Sequence, residues 1–551
     1  MSKTAPRAAH DSAPGAEIAD ERRLCAMAWA LTREGCLSEV SRAEAQLIAK
    51  IDVLPTSAAL ERTASSILSG HDPLGCAFAS LRSARQRRAL GATYTPATLV
   101  GPMSQWLANH GRASRVVDPG AGSARFLMAA GRRLPDARLI AVEIDPLASL
   151  TARANLTVMG LDRRAKVHAV DYRALTLEPA TGPTAFIGNP PYVRHHDIAP
   201  EWKAWLRTHA AKLGYRASAL AGLHVHFLVA TAHLARAGDY GVFVTSSEWL
   251  DVGYGRLARD LVAGPLGGLS VHVLDARSQV FADAAVTAAV TAFQVGESQR
   301  SVRVRKIKRT EDLRGLQGGK QFSRAELRAT RRWSSLWEPK PSVPAGYVRL
   351  GEFCRVHRGA VTGANSTWVT GQDDARLPAS VLAAAVTRAS ELIDLGSSPL
   401  RDSSRLRAVV DLPADLDAFD SDERRLVEAF LTSARRAGAA DSYVARHRRP
   451  WWSVKLRDPA PILATYMARR PPAFVRNLSE ARNLNTVHGI YPIESLSPGA
   501  LRRLIQSLRE RTTTADGRTY AGGLTKFEPS EMEHIMVPPP AWLEAGELWH
   551  S

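Results

Sequence analysis

The stretch VVDPGAGSA at residues 116–124 decides the fold, because it joins an apolar strand to a helix through a turn of small residues. Asp118 closes the strand, and Gly120 and Gly122 allow the backbone to come close to a ligand. The N–H groups at the start of the following helix are available to bind that ligand. Turns of this kind are common in α/β folds, so this one alone indicates a fold and not a function.

The same pattern continues on both sides of the turn. Between residues 91 and 296, short apolar runs alternate with helical segments, which is typical of a doubly wound α/β sheet. The last two runs, 269–275 and 285–295, are joined by a loop too short for a helix. Only antiparallel neighbours accept so short a connection, so we predict a hairpin at the edge of the sheet.

Acidic residues end two further strands. Glu143 follows Asp118 by 25 residues, the offset at which a carboxylate can accept the hydroxyls of a ribose. Asp171 ends the third strand, where it can accept the amino group of an adenine. The carboxyl ends of parallel strands meet at one edge of a sheet, so we expect the three acids to share a crevice. We interpret them as a site for a nucleoside-containing cofactor. The sequence shows no Walker lysine, which argues against ATP hydrolysis.

The segment Asn189-Pro190-Pro191-Tyr192 directly follows the next apolar strand. An exocyclic amino group on a base is a poor nucleophile, because its lone pair is delocalised into the ring. The side-chain oxygen of Asn189 and the carbonyl of Pro190 can each accept one N–H, which aims the lone pair at an electrophile. The prolines stiffen the loop, and Tyr192 offers an aromatic face to the base.

FIGNPPYV at 186–193, the glycine turn and the strand-end acids together resemble the S-adenosylmethionine-dependent amino methyltransferases. More narrowly, they resemble the adenine-N6 DNA methyltransferases of restriction–modification systems. GATYTP at 91–96 is similar to the family's "YTP" segment, and its position before the glycine turn is the order called gamma, of the Taq and Eco57I types. The resemblance implies a seven-stranded Rossmann-like sheet, S-adenosylmethionine as methyl donor, no metal, and a flipped-out adenine in double-stranded DNA as acceptor.

The resemblance also implies roles for individual residues. Those expected to bind S-adenosylmethionine are Tyr94, Thr95, Asp118, Gly120, Gly122, Glu143, Asp171 and Asn189. Those expected to hold the adenine for methylation are Asn189, Pro190, Tyr192 and Phe281. Phe281 is expected to stack on the face of the base opposite Tyr192. Where the family usually has Gly-Ser-Gly, this chain has Gly122-Ser123-Ala124, and we expect the small alanine to keep the turn.

The 551 residues include 72 Lys and Arg against 54 Asp and Glu, a formal charge of +18, which favours a nucleic-acid partner. The pattern predicts five regions: a disordered N-terminus at 1–20, a helical region at 21–90, the catalytic domain at 91–296, a basic linker at 297–345, and an α+β DNA target-recognition domain at 346–551. The residues expected to contact DNA are Arg305, Lys306, Lys308, Arg358, Thr362, Asn365, Arg448 and Arg449.

Two alternative functions remain open. A protein-glutamine N5 methyltransferase also uses Asn-Pro-Pro-Tyr, but those enzymes are shorter and lack both the YTP segment and a following recognition domain. An RNA adenine-N6 methyltransferase is the other. No nuclease motif occurs in residues 1–90, so we expect the partner endonuclease to be a separate chain. The four cysteines show no zinc-binding spacing. Without a secretory signal or a long apolar stretch, we expect a cytoplasmic protein that does not contact membranes. We also expect a monomer.

Overall fold

The computed structural model describes residues 18–32, 40–83, 86, 91, 94–275, 287–296, 301–337, 343–519 and 524–546. The chain divides into two compact units, residues 1–339 and 340–551, each with its own core. The first unit holds the glycine turn and the Asn-Pro-Pro-Tyr segment. None of the helices in the described ranges has both the length and the apolar character that a membrane crossing needs.

The first unit opens with four helices and continues as strands that alternate with helices. Its helices are α1 (Glu21–Thr32), α2 (Arg42–Ile48), α3 (Ser57–Leu68), α4 (Pro73–Leu81), α5 (Ala97–His110), α6 (Arg125–Arg133), α7 (Pro146–Val158), α8 (Pro200–Lys212), α9 (Leu223–Leu234), α10 (Arg256–Val262) and α11 (Arg324–Ala329). Its strands are β1 (Arg115–Pro119), β2 (Arg138–Val142), β3 (Ala165–His168), β4 (Thr184–Gly188), β5 (Tyr240–Ser246), β6 (Gly268–Leu274), β7 (Ala288–Gln294), β8 (Ser301–Ile307) and β9 (Lys320–Ser323).

Within the described residues, nine strands form one sheet in the order β3-β2-β1-β4-β5-β7-β6-β8-β9. The strands β1 to β5 are parallel, as a doubly wound sheet requires. The antiparallel pairing predicted for the last two apolar runs is confirmed, since β7 pairs with β6. Their predicted position at the edge is wrong, because β8 pairs with β6 and β9 with β8. The sheet therefore has nine strands where seven were expected.

The basic linker predicted at 297–345 is also wrong in part, because it contains β8 and β9. The sequence of β8 alternates between buried and more exposed residues, with Val302 and Val304 in the core and Arg303 in solvent. This period of two is the pattern of a strand with one face covered. The many basic residues on the other face conceal that pattern in the sequence.

The sheet is covered on both faces, and its central strands alternate between the two cores. Val116 of β1 packs with α5 and α6, while its neighbour Val117 packs with α8, α9 and α10. In β4, Ala185 and Ile187 face the first core and Phe186 the second. Burial on both faces explains why these strands are almost continuously apolar. The predicted doubly wound α/β class is therefore confirmed.

The N-terminal helices form an extra layer on the outside of α7. Helix α7 is buried nearly all round, because Leu147, Leu150 and Ala154 pack against α1 to α4 while its other side faces the sheet. A buried ion pair crosses this contact, with Arg153 Nε 2.7 Å from Glu44 Oε1 and both side chains almost fully buried. Glu44 also caps the start of α2 by accepting the N–H of Ser41.

We predict that Glu44→Gln lowers the free energy of unfolding of the first unit by about 3–5 kcal/mol, because it leaves the Arg153 guanidinium buried without its counter-ion. Urea unfolding measures the change. The control is Asp52→Asn, which breaks the exposed Arg22–Asp52 pair and should shift the midpoint little. Equal midpoints for the two variants would contradict the prediction.

The second unit mixes helices with short strands, as expected for an α+β domain. Its helices are α12 (Leu350–Phe353), α13 (Asn365–Trp368), α14 (Ala389–Ile393), α15 (Ser421–Arg436), α16 (Tyr443–Arg446), α17 (Pro498–Arg511), α18 (Pro529–Glu533) and α19 (Pro540–Ala545). Its strands are β10 (Val348–Arg349), β11 (Cys354–Arg358), β12 (Val369–Thr370), β13 (Leu382–Val386), β14 (Arg407–Val410), β15 (Ile462–Thr465), β16 (Met467–Ala468), β17 (Phe474–Arg476), β18 (Arg482–Asn483), β19 (Val487–Pro492), β20 (Arg518–Thr519), β21 (Thr525–Lys526) and β22 (Met536–Val537). The two four-stranded sheets have the orders β11-β19-β15-β17 and β12-β14-β13-β18.

Candidate active site

A cavity of about 360 Å³ opens at the carboxyl ends of the parallel strands. Its wall takes residues from the glycine turn, from the ends of β2 and β4, and from the segment after β3. Helix α4 supplies Gly75, Phe78 and Ala79 to the same wall. The sequence places Gly120, Gly122, Glu143, Asp171 and Asn189 at one edge of the sheet, and in the structure all five line this cavity.

The glycine turn is fastened to the end of β2 by backbone hydrogen bonds. The N–H groups of Gly120 and Ala121 both donate to the carbonyl of Val142, at 2.8 and 3.0 Å. Gly120 and Gly122 adopt φ values of +74° and +55°, in the left-handed region that favours glycine. A Cβ built on Gly122 meets nothing within 4 Å, so the turn presents open space beside it.

Ala124 ends this turn in the same left-handed region, with φ of +67° and ψ of +27°. The expectation that alanine keeps the turn agrees with this geometry. An L-residue in this conformation costs roughly 1–2 kcal/mol relative to the right-handed one. The Ala124 side chain is fully buried among the core residues beneath the sheet, which offsets part of that cost.

Glu143 uses both carboxylate oxygens. Oε2 accepts the N–H of Gly122 at 2.8 Å, and Oε1 accepts the N–H of Asp145 at 2.9 Å. Burial raises the pKa of Glu143, and the backbone donors act in the opposite direction. The carboxylate therefore joins the glycine turn to the start of α7, while still lining the cavity.

Asp118 is fully buried below this turn, and neither of its carboxylate oxygens has a hydrogen-bond partner among the described residues. A Cβ on Gly188 would lie 2.6 Å from Asp118 Oδ1, so the glycine at the end of β4 makes room for the carboxylate. Burial, and then the negative charge of Glu143, raise the pKa of Asp118 well above 3.8. Asp118 does not belong to the cavity wall, in contrast to the other strand-end acids.

Asp171 was expected to be free to accept the amino group of an adenine, but in the structure its carboxylate is paired with Arg173. Its carboxylate accepts three hydrogen bonds from Arg173, one from the backbone N–H and two from Nε and Nη2 of the guanidinium. The guanidinium of Arg173 also lies over the ring of Trp202, 3.6 Å from its centroid. Arg173 and Trp202 both line the cavity, and no motif in the sequence marked either of them.

Asn189 connects the two motifs that are most distant in sequence. Its Nδ2 donates to Thr95 Oγ1 at 3.0 Å, while its Oδ1 is buried and has no hydrogen-bond partner among the described residues. The N–H of Tyr192 donates to the carbonyl of Gly91 at 3.2 Å. The YTP segment and the Asn-Pro-Pro-Tyr segment are therefore adjacent. The side-chain oxygen of Asn189 can still accept a hydrogen bond from a ligand.

The other residues expected to hold the base differ in position. Pro190 is buried, and Tyr192 is half-buried against the core under the sheet; neither belongs to the cavity wall. Burial raises the pKa of Tyr192 far above its ordinary value, so its hydroxyl stays protonated. Phe281 lies outside the described residues.

The segment before α4 contributes to the site in a way that the sequence does not indicate. Asp72 is buried and accepts hydrogen bonds from the Ser123 hydroxyl at 2.6 Å, from the Gly75 N–H at 2.9 Å and from the Asn155 amide at 3.0 Å. In the sequence, Asp72 followed by Pro73 indicates only the start of a helix. Nothing in that pattern shows that the helix packs on the glycine turn.

The residues expected to contact DNA separate into exposed and structural positions. Lys306, Lys308, Arg358, Asn365 and Arg449 are exposed. Thr362 is buried and donates to Asn365 Oδ1, while Arg448 donates to the carbonyls of Val361 and Thr362. Arg305 donates to the carbonyl of Gln317 at 3.2 Å, and Lys306 lies 3.7 Å from Asp275. No group of three His, Cys, Asp or Glu suited to a metal ion occurs in the part of the chain that the structure describes.

Asp118→Asn is predicted to increase the stability of the ligand-free protein relative to wild type more at high pH than at low pH. The pKa of Asp118 is higher in the folded than in the unfolded chain, so the folded protein binds this proton more tightly. The free energy of unfolding of the wild type therefore falls as pH rises above about 3.8 through the raised pKa. Asparagine has no such proton. Thermal unfolding from about pH 4 to pH 9 measures the difference. The control is Asp136→Asn, at an exposed aspartate. If the difference in stability between Asp118→Asn and wild type stays constant with pH, the prediction is wrong.

The fold, with a cavity at the carboxyl edge of its parallel strands, is also found in a restriction–modification enzyme of known structure. The structure of the type IIL restriction–modification enzyme MmeI in complex with DNA has a similar fold, with a TM-score of 0.54 at 14% sequence identity over 80% of this chain and 67% of that chain.

Two family models match the chain, the Eco57I restriction-modification methylase at 138–264 and the C-terminal domain of the type II methyltransferase M.Eco57I at 344–548. The type II methyltransferase M.XamI of Xanthomonas campestris pv. amaranthicola is 49% identical over 521 residues, which span 95% of this chain and 96% of that protein. M.AccI of Acinetobacter calcoaceticus is 20% identical over 485 residues, 83% and 86% of the two chains. The chain belongs to the Eco57I-type type II methyltransferases of restriction–modification systems.

Proposed function

We propose that the protein transfers a methyl group from S-adenosylmethionine to N6 of an adenine flipped out of double-stranded DNA, at a specific sequence. The modification would protect that sequence from a restriction endonuclease encoded as a separate chain. The observation that carries the proposal is the buried Oδ1 of Asn189 within the Asn-Pro-Pro-Tyr turn, which has no hydrogen-bond partner in the described ranges. A buried acceptor without a donor is costly, which indicates a ligand that supplies the N–H.

The cavity wall fits S-adenosylmethionine. Glu143 accepts two backbone N–H groups and still has lone pairs for ribose hydroxyls. The open space at Gly122 leaves room for the ligand beside the turn. The apolar side chains of Ile144 and Val170 also line the cavity and are partly exposed, as expected of surfaces that an adenine ring covers. Asp171 would accept the adenine amino group while keeping its pairing with Arg173.

The residues of the turn would act on the target amine. When bound, S-adenosylmethionine supplies an electrophilic methyl group on a positively charged sulfur. Thr95 accepts the N–H of the Asn189 amide and thereby orients its oxygen. Asn189 Oδ1 and the Pro190 carbonyl would accept the two amine hydrogens, so that the nitrogen lone pair points at the methyl group. The proton that leaves afterwards would pass to these acceptors or to water.

The membership of the family argues against the protein-glutamine alternative, because the M.Eco57I C-terminal model matches the second unit. RNA adenine-N6 methylation uses the same acceptor chemistry and is the second candidate. Competition between duplex DNA and structured RNA for methylation distinguishes the two.

Asn189→Ala should abolish methyl transfer and weaken the binding of S-adenosylhomocysteine far less, because it removes the amine acceptor and leaves Glu143 in place. Single-molecule sequencing of plasmid from expressing cells measures N6-methyladenine and its sequence context together, and calorimetry measures the binding. The matched control is Asn109→Ala, an exposed asparagine on α5. Near-normal methylation by Asn189→Ala, or plasmid without N6-methyladenine from wild type, would overturn the proposal.

The exposed arginines of the second unit give an independent test of DNA binding. Arg358→Ala combined with Arg449→Ala should weaken DNA binding and make the dependence of log affinity on log salt shallower by roughly 0.9 for each phosphate that the variant no longer neutralises. Fluorescence anisotropy over a range of salt concentrations measures both effects. Arg425→Ala removes an exposed arginine that is paired with Asp422 and should leave the slope unchanged. If wild type, the double variant and Arg425→Ala all give the same slope, Arg358 and Arg449 do not contact DNA phosphates.

A further inference from the structure

Arg125 begins α6 directly after the glycine turn and lines the cavity. Its side chain is 11% exposed, and its Nη1 is buried without a hydrogen-bond partner among the described residues. A guanidinium carries five N–H donors and remains charged at all physiological pH values. A buried, charged donor without an acceptor is more costly than a neutral one. The feature therefore indicates an acceptor that the described residues do not supply.

The neighbouring acids do not supply that acceptor. The Nε of Arg125 lies 3.9 Å from Asp72 Oδ2, beyond hydrogen-bond distance. The oxygens of Asp72 already accept from Ser123, Gly75 and Asn155, which keeps the carboxylate occupied. This contact compensates part of the arginine charge, and Nη1 still has no acceptor in the part of the chain that the structure describes.

Arg173 and the acids Glu143, Asp145 and Asp171 of the cavity wall have partners of their own. Arg173 pairs with Asp171, and Asp145 pairs with Arg82 at 2.6 Å. Glu143 is held by backbone N–H groups. Among the described residues of the wall, Arg125 is thus the cation whose hydrogen-bonding capacity is least used, and it favours an anionic group of the ligand.

Arg125 also lies at a defined place in the cavity. Its guanidinium stacks on the Tyr94 ring, 4.2 Å from the centroid. The Cys76 thiol donates to the Tyr94 hydroxyl at 3.2 Å, which fixes that ring against α4. Tyr94 and Thr95 precede α5, and Thr95 accepts the amide N–H of Asn189. Arg125 is therefore associated with the YTP segment, while Glu143 and Asp171 belong to the nucleoside part of the wall.

We propose that Arg125 binds the α-carboxylate of the methyl donor's amino-acid end through its unpartnered Nη1. The proposal rests on the proposed function, since it requires that the cavity hold S-adenosylmethionine. The carboxylate is the one anionic group of that molecule, and a guanidinium–carboxylate hydrogen bond is among the stronger polar contacts in proteins. The stacking on Tyr94 and the nearby Asp72 hold the guanidinium in place before the ligand arrives, which lowers the entropy lost on binding.

The test compares two ligands that differ only in the carboxylate: S-adenosylhomocysteine and its decarboxylated analogue, 5′-S-(3-aminopropyl)thioadenosine. Calorimetry measures their affinities for the full-length protein, for Arg125→Met, which keeps the aliphatic stem, and for Arg125→Lys, which keeps the charge. The control is Arg133→Met on the same helix, where the exposed arginine donates to the carbonyl of Ala129. Thermal unfolding of each variant shows that it is folded.

Wild type should bind S-adenosylhomocysteine about 10- to 100-fold more tightly than the analogue, as expected for a charge-assisted hydrogen bond. Arg125→Met should remove this preference by weakening S-adenosylhomocysteine alone, Arg125→Lys should keep part of it, and Arg133→Met should keep all of it. A preference that survives in Arg125→Met, or an equal loss for both ligands, would overturn the role of Arg125 as a carboxylate ligand. If Arg125→Met does not fold, Arg125→Lys decides the matter. The proposed role of Arg125 is then wrong if Arg125→Lys binds both ligands as tightly as wild type, or if it binds neither. A wild-type protein that binds neither ligand would overturn the proposed function itself.

Discussion

The attachment of the glycine turn to the end of β2 is the constraint on which the site depends. Two N–H groups of the turn share the carbonyl of Val142, and a third reaches the carboxylate of Glu143. The same carboxylate accepts the N–H of Asp145, whose side chain caps α7 by accepting the N–H groups of Leu147 and Ala148. One acid thus sets the turn, the end of a strand and the start of a helix relative to each other, and the cavity is formed between these elements.

The N-terminal helices stabilise that arrangement from the outside. Asp72 fixes Ser123 of the turn, and Asn155 of α7 bonds both to Asp72 and to the carbonyl of Ser123. The ion pair of Arg153 with Glu44 connects the same helix to α2. This network of hydrogen bonds and one ion pair holds Ser123, α7 and the leading helices together. It makes residues 40–81 part of the catalytic unit in a structural sense, although no motif in them indicates catalysis.

Features set by residues close together in the sequence were predicted well, and features set by contacts between distant residues were not. The strand-to-helix turn and the strand-end positions of Asp118, Glu143 and Asn189 are local features, and parallel pairing brings them to one edge as expected. The pairing of Asp171 with Arg173 was missed because an acid at a strand end was interpreted without its neighbour two residues later. The contribution of Asp72 depends on a tertiary contact 51 residues away in the chain, to Ser123, which no local pattern contains. Strands β8 and β9 were missed because charged residues on their outer face suggested a linker.

The extra layer of helices on α7 has a practical consequence for exchanging parts between related enzymes. A catalytic fragment cut at the first recognisable motif, near residue 91, would uncover Leu147, Leu150 and Ala154. It would also leave the Arg153 guanidinium without Glu44 and release the glycine turn, which Asp72 holds through Ser123. A chimera that is meant to remain folded must therefore carry the leading helices of the same parent. The segment that can be exchanged is longer than the one that the sequence motifs delimit.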